Sequence, residues 1–93
     1  MAVYWVNYDL SRPDQHYTQL IDYLKSSSSG WARPAKSSFF VKTEVTAAQL
    51  LEGALPFIDD NDAIAVVKVD GEFWATSGLP EAVVAWMRQW IRP

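Results

Sequence analysis

The segment from Ala2 to Leu10, AVYWVNYDL, constrains the fold more than any other part of the chain. It is rich in aromatic and β-branched residues and apolar on both sides over most of its length. That is the pattern of a buried strand at the centre of a sheet. Side chains alternate along a strand, so Val3, Trp5, Asn7 and Asp9 share one face while Tyr4, Val6, Tyr8 and Leu10 share the other. Asp9 therefore stands at the carboxyl end of the strand, on the side of Trp5. Such a strand needs a neighbour on each edge, and the rest of the sequence has to supply them.

Ser11-Arg12-Pro13-Asp14 reads as a helix start, with Ser11 as the cap and Asp14 placed for a capping box. Tyr17, Leu20, Ile21 and Leu24 then recur at helical spacing, and the serines ending in Gly30 close that helix. Two short extended pieces follow around Pro34, one near Trp31–Arg33 and one across Ser38–Lys42. Thr46 and Gln49 form a second capping box, opening a helix that carries Leu50, Leu51, Ala54 and Leu55 and ends or kinks at Pro56. Asp59-Asp60-Asn61-Asp62 is a turn, and Ala63 to Val69 a strand. Asp70-Gly71 signals a hairpin with a returning strand over residues 72–75. Pro80 starts a last helix whose apolar face is Val83, Val84, Met87, Trp90 and Ile91. The order predicts one α+β domain over residues 1–93. It is a ferredoxin-like βαββαβ antiparallel sheet with helices on one face, plus an extra hairpin strand and a C-terminal helix.

Composition narrows the function classes. The chain has no cysteine, which excludes disulfide frameworks, thiol catalysis and zinc fingers. It holds no apolar run of the ~18 residues that a membrane span needs, and no secretory signal opens it, so a soluble cytoplasmic protein is expected. Residues 1–42 carry five cationic side chains against three aspartates, and residues 43–93 three against eight carboxylates. A strong basic excess of the kind common among nucleic-acid binders is therefore missing overall. The 5 Trp, 4 Tyr and 4 Phe are a heavy aromatic load. A domain of this size hides only about two-thirds of the surface of its unfolded chain, so part of that load predicts a partner subunit or a ligand face.

A first strand ending in Tyr8-Asp9-Leu10, a helix, then Lys36-Ser37-Ser38-Phe39-Phe40-Val41-Lys42-Thr43, a second helix and an apolar strand resemble a group of small proteins. This group is the CRISPR-associated Cas-two family with its relatives, the SinR-like proteins and the VapD-like toxins. The resemblance runs through about the first 75 residues. It implies a ferredoxin-like homodimer associated with nucleic acid, in some members a metal-dependent endonuclease and in others a scaffold without catalysis. By motif match it implies Asp9 as the metal-binding aspartate and Ser37 or Ser38 as the polar strand residue of the catalytic set. Active relatives continue with several basic residues after the aspartate, whereas Arg12 alone follows here.

Chemistry agrees with that role for Asp9. Two carboxylates about 4 Å apart across a dyad would repel by about 1 kcal/mol in water and about 4 kcal/mol at an effective dielectric of 20. A shared Mg²⁺ relieves the repulsion, using one or two carboxylates and keeping its waters. Asp9 could equally cap the helix that follows it. Arg33, Lys36 and Lys42, interleaved with Trp31, Phe39 and Phe40, and Arg12 beside them, form the candidate nucleic-acid surface, because rings stack on bases and cations meet phosphates. Strand aromatics also pack in cores. His16 has no partner at a catalytic spacing, and the 59–62 cluster lacks the glycine and glutamate of a calcium loop. Three readings therefore stand: a Cas-two-like nucleic-acid-associated dimer, an adaptor that binds a protein partner, and a dimer that binds a small molecule.

Overall fold

The computed structural model describes residues 1–11, 17–70 and 74–91. Its elements are β1 (Ala2–Asp9), α1 (Tyr17–Ser26), β2 (Gly30–Ala35), β3 (Ser38–Thr43), α2 (Ala47–Ala54), β4 (Ala63–Lys68) and α3 (Glu81–Trp90). The four strands form one antiparallel sheet in the order β2-β3-β1-β4. This is the ferredoxin-like α+β arrangement, with β1 inside the sheet as its two-sided apolar pattern requires. None of the helices among the described residues is long and apolar enough to cross a membrane.

The even residues of β1, with Leu10 just past its end, build the main core. Tyr4, Val6, Tyr8 and Leu10 pack with Phe39 and Val41 of β3, Leu20 and Leu24 of α1, and Leu50 and Ala54 of α2. Burying each large aliphatic or aromatic side chain contributes about 1.5–3 kcal/mol, so this face holds most of the stability. Thr46 begins α2 with both halves of the capping box: its hydroxyl accepts from the Gln49 N–H at 3.1 Å, and Gln49 Oε1 accepts from the Thr46 N–H at 2.9 Å. The α2 segment ends before Pro56, where a 3-10 turn covers Leu55–Phe57.

The other face of the sheet differs from the sequence expectation, which left it without a helix. Here α3 lies across its β2–β3 side. Val83, Met87 and Ile91 form a second, smaller core with Val3 and Ala32, and Phe40, Val69, Trp74, Leu79 and Trp86 pack around it. Phe40 and Trp86 stack with centroids 6.1 Å apart. Part of the aromatic surplus is thus satisfied within the chain. Of the returning strand expected at 72–75, Trp74 and Ala75 are described and belong to no strand; Gly71, Glu72 and Phe73 lie outside the described residues. The same holds for Arg12, Pro13, Asp14 and His16, and so for the first capping box. Ser11 itself donates its backbone N–H and its hydroxyl to Asp62 Oδ1, at 2.7 and 2.9 Å, which ties the end of β1 to the loop before β4.

Candidate functional site

Strand register decides which of the candidate residues meet. Asn7 lies opposite Ser38 in the β1–β3 pairing, and Asp9 lies opposite Ala63 in the β1–β4 pairing. Residues directly opposite one another project to the same side. Asn7, Asp9, Ser38, Ala63 and Ala65 therefore share the face that α3 half covers, at the end of the sheet away from Val3. Ser38 belongs to this group and is buried. Ser37 is one position out of phase, and its carbonyl accepts from the Tyr8 N–H at 2.9 Å. The structure thus separates the two serines: Ser38 stands on the Asp9 face, and Ser37 holds the turn to β1.

That turn is fixed by a shared acceptor. The Lys36 carbonyl accepts from the Tyr8 hydroxyl at 3.0 Å and from Arg33 Nη2 at 2.8 Å. Tyr8 is buried and Arg33 exposed, so one bond is shielded from water and the other is not. Lys36 is therefore held by its backbone at the same sheet end as Asp9, with its side chain exposed.

The remaining cations scatter. Arg33 lies over the Phe39 ring, 5.3 Å from its centroid, on the α1–α2 side of the sheet. Lys42 pairs with Val3, six residues from Asp9 along β1, or about 20 Å at ~3.3 Å per residue. Its ammonium sits 3.1 Å from the Trp90 ring centroid. Phe39 is fully buried and so stacks on no ligand, and Phe40 is occupied by Trp86. The single surface expected from Arg33, Lys36, Lys42 and their aromatic neighbours divides between two faces and two ends. Arg12 lies outside the described residues.

Asp9 is exposed, and no described group hydrogen-bonds to its carboxylate. A free carboxylate is the hard oxygen donor that Mg²⁺ takes, and Mg²⁺ binds through one or two such groups. No group of three acidic or histidine side chains that could hold a metal occurs among the described residues. Asp62, the nearest acidic side chain in sequence beyond the Asp9–Ala63 pair, already accepts from Ser11 and from the Asp59 N–H. Among the described residues Asp9 thus stands as a single carboxylate donor on this face.

Beside Asp9 and Asn7 lies an uncovered strip. Trp5 is 38% exposed and Val67, directly opposite it, 51% exposed, with Ala63 and Ala65 also exposed along β4. Two contributors were not singled out from sequence. Asn7 was visible through the two-residue period of β1. Lys25, whose ammonium lies 4.5 Å from the Trp31 ring centroid, depends on how α1 docks and left no local signal.

No family model matches the chain, and no curated protein matches it in sequence. Among solved structures, one described as a hypothetical protein from Thermus thermophilus is similar at a TM-score of 0.64, with 23% identity over 85% of this chain and 94% of that one. That likeness is one of fold.

Proposed function

We propose that this protein works as a Cas-two-like homodimer associated with nucleic acid, in which Asp9 of each copy contributes to one shared Mg²⁺ site at the dyad. One observation carries the reading: an exposed carboxylate, to which no described group hydrogen-bonds, stands at the margin of the uncovered strip of Trp5, Val67, Ala63 and Ala65. Joining two copies over the strip would remove that apolar surface from water, at about 25 cal/mol per Å². In this reading Asp9 holds the ion and Ser38 and Asn7 line the same face. Lys36 meets a phosphate from the turn above. The bound ion would lower the pKa of a coordinated water for attack on a phosphodiester. The test is Mg²⁺- or Mn²⁺-dependent cleavage of RNA and double-stranded DNA by the purified dimer. Asp9→Asn should abolish cleavage while leaving the dimer intact; full-rate cleavage by that variant sinks the catalytic part.

The scattering of cations favours a second reading, a non-catalytic adaptor for a protein partner. Arg33 and Lys42, two of the expected phosphate contacts, sit against rings on opposite faces of the sheet. Salt-dependent binding separates the two: a nucleic-acid scaffold loses affinity linearly in log salt, and the adaptor shows no such binding at low salt.

A further inference from the structure

A different part of the molecule carries an inference independent of Asp9. The β2 strand is the edge of the sheet beyond β3, and α3 packs beside it. Between them runs an open groove of about 350 Å³ lined by Trp31, Ala32, Arg33, Ala82, Val83 and Trp86. An edge strand flanked by a helix, with a mostly apolar groove between, is the geometry in which an extended peptide adds a strand to a sheet. We propose that this groove docks an extended peptide in which small aliphatic residues alternate with carboxylates.

The alternation follows from the two sides of β2. Ala32 faces α3 and belongs to the second core, so one set of peptide side chains would point toward Ala82, Val83 and Trp86. That side is apolar and shallow, which suits valine or alanine. Trp31 and Arg33 face the other way, and Lys25 stands over Trp31. The alternate set of side chains would meet these cations. No described carboxylate pairs with Lys25 or Arg33, and none lines the groove. A peptide carrying acidic residues at every second position supplies the missing charge.

The same strand limits what can pair with it. Pro34 has no N–H to donate, and the pairing with β3 shifts between Ala32 and Ala35. Both features blunt an edge against indiscriminate pairing. Of the β2 residues that line the groove, Trp31 and Ala32 belong to the regular part and Arg33 to the shifted part. Trp31 stays 40% exposed on the other side of β2, where its ring touches Phe39 and Lys25.

The experiment titrates two fluorescein-labelled ten-residue peptides, one alternating Val and Glu and one alternating Val and Lys, into the whole chain. Binding is followed by fluorescence polarisation and by amide NMR shifts. The proposal expects saturable binding of the Glu peptide alone, with shifts concentrated in residues 30–35 and 81–86. Arg33→Glu should weaken it about fivefold or more, the scale of reversing one exposed ion pair. Because Arg33 also supports the 36–37 turn, Ala82→Glu on the exposed side of α3 is the second variant, with the same loss expected. Equal binding of both peptides overturns the proposal, as do shifts centred on Asn7 and Asp9. So does displacement of the peptide by decathymidylate, or self-association without peptide that Ala82→Glu abolishes. Asp9→Asn leaves the titration unchanged, which separates failure here from failure of the metal site.

Discussion

The Lys42 ammonium lies 3.1 Å from the centroid of the Trp90 ring, which fastens the last turn of α3 to the end of β3. The contact gives the half-buried Lys42 a partner beside the second core. Its aliphatic stem runs along Gly30, where a built Cβ would lie 3.5 Å from the Lys42 Cε, and its charge finishes on the indole. Such an interaction contributes about 0.5–2 kcal/mol, more as water is excluded. Trp90→Ala should therefore lower the melting temperature by several degrees, at about 4–8 °C per kcal/mol in a domain of this size. Lys42→Arg should keep most of the stability, because a guanidinium stacks on indole as well. A Trp90→Ala melting curve equal to the parent's would show that the contact contributes nothing.

Gly53 of α2 faces the ring of Tyr23 so closely that an added Cβ would overlap the tyrosine hydroxyl and ring. Alanine is normally the better helix residue by about 1 kcal/mol. Here Gly53→Ala should instead destabilise, by about 1 kcal/mol or more, because the half-buried Tyr23 ring would have to move aside. The Tyr23 hydroxyl donates to the Leu50 carbonyl at 2.8 Å, so the ring has a bond to lose if it moves aside. Tyr23→Ala should be damaging alone yet should make Gly53→Ala nearly harmless. A double-mutant cycle by chemical denaturation reads that coupling, and strict additivity would refute the clash.

Periodicity made the layout of β1 legible, because alternation alone assigns each residue to a face, and the capping box at Thr46 and Gln49 was readable in the same local way. The side of the sheet taken by α3 was not. A helical repeat shows that Val83, Met87 and Ile91 share a stripe, but it carries no information about which sheet face the stripe meets. The choice between Ser37 and Ser38 was hidden for a related reason. Both flank a turn, and only the register Asn7–Ser38 places one of them beside Asp9. Lys42 lies apart from Arg33 and Lys36 because proximity in sequence says little on strands. Arg33 and Lys42 point to opposite sides, and β3 carries Lys42 to the far end of the sheet.

The turn beside Asp9 depends on the Lys36 carbonyl and its two donors, the Tyr8 hydroxyl and Arg33 Nη2. Removing one donor leaves the carbonyl partly satisfied, so Tyr8→Phe should cost about 1 kcal/mol, the net value of one hydrogen bond. Arg33→Ala removes a bond open to water and should cost less. The double variant leaves the carbonyl with neither side chain, and its loss should exceed the sum of the two. Hydrogen exchange at residues 36–38 would report the same loosening locally. Unchanged exchange in the double variant would mean that backbone pairing alone holds the turn.

The strip of Trp5 and Val67 supplies the decisive test of self-association. Val67 sits on β4, is 51% exposed and faces Trp5 across the strand pair, so a charge placed there would not disturb the main core on the opposite face. If two copies join over this strip, Val67→Glu buries a carboxylate in the interface, and the dimer dissociation constant should rise at least about tenfold, or about 1.4 kcal/mol. The monomer should stay folded, since glutamate on the exposed side of an edge strand costs little. Sedimentation equilibrium over a concentration series measures the shift. A parent chain that stays monomeric at high concentration would remove the dyad on which a shared Asp9 site depends. A dimer indifferent to Val67→Glu would move the contact to another surface.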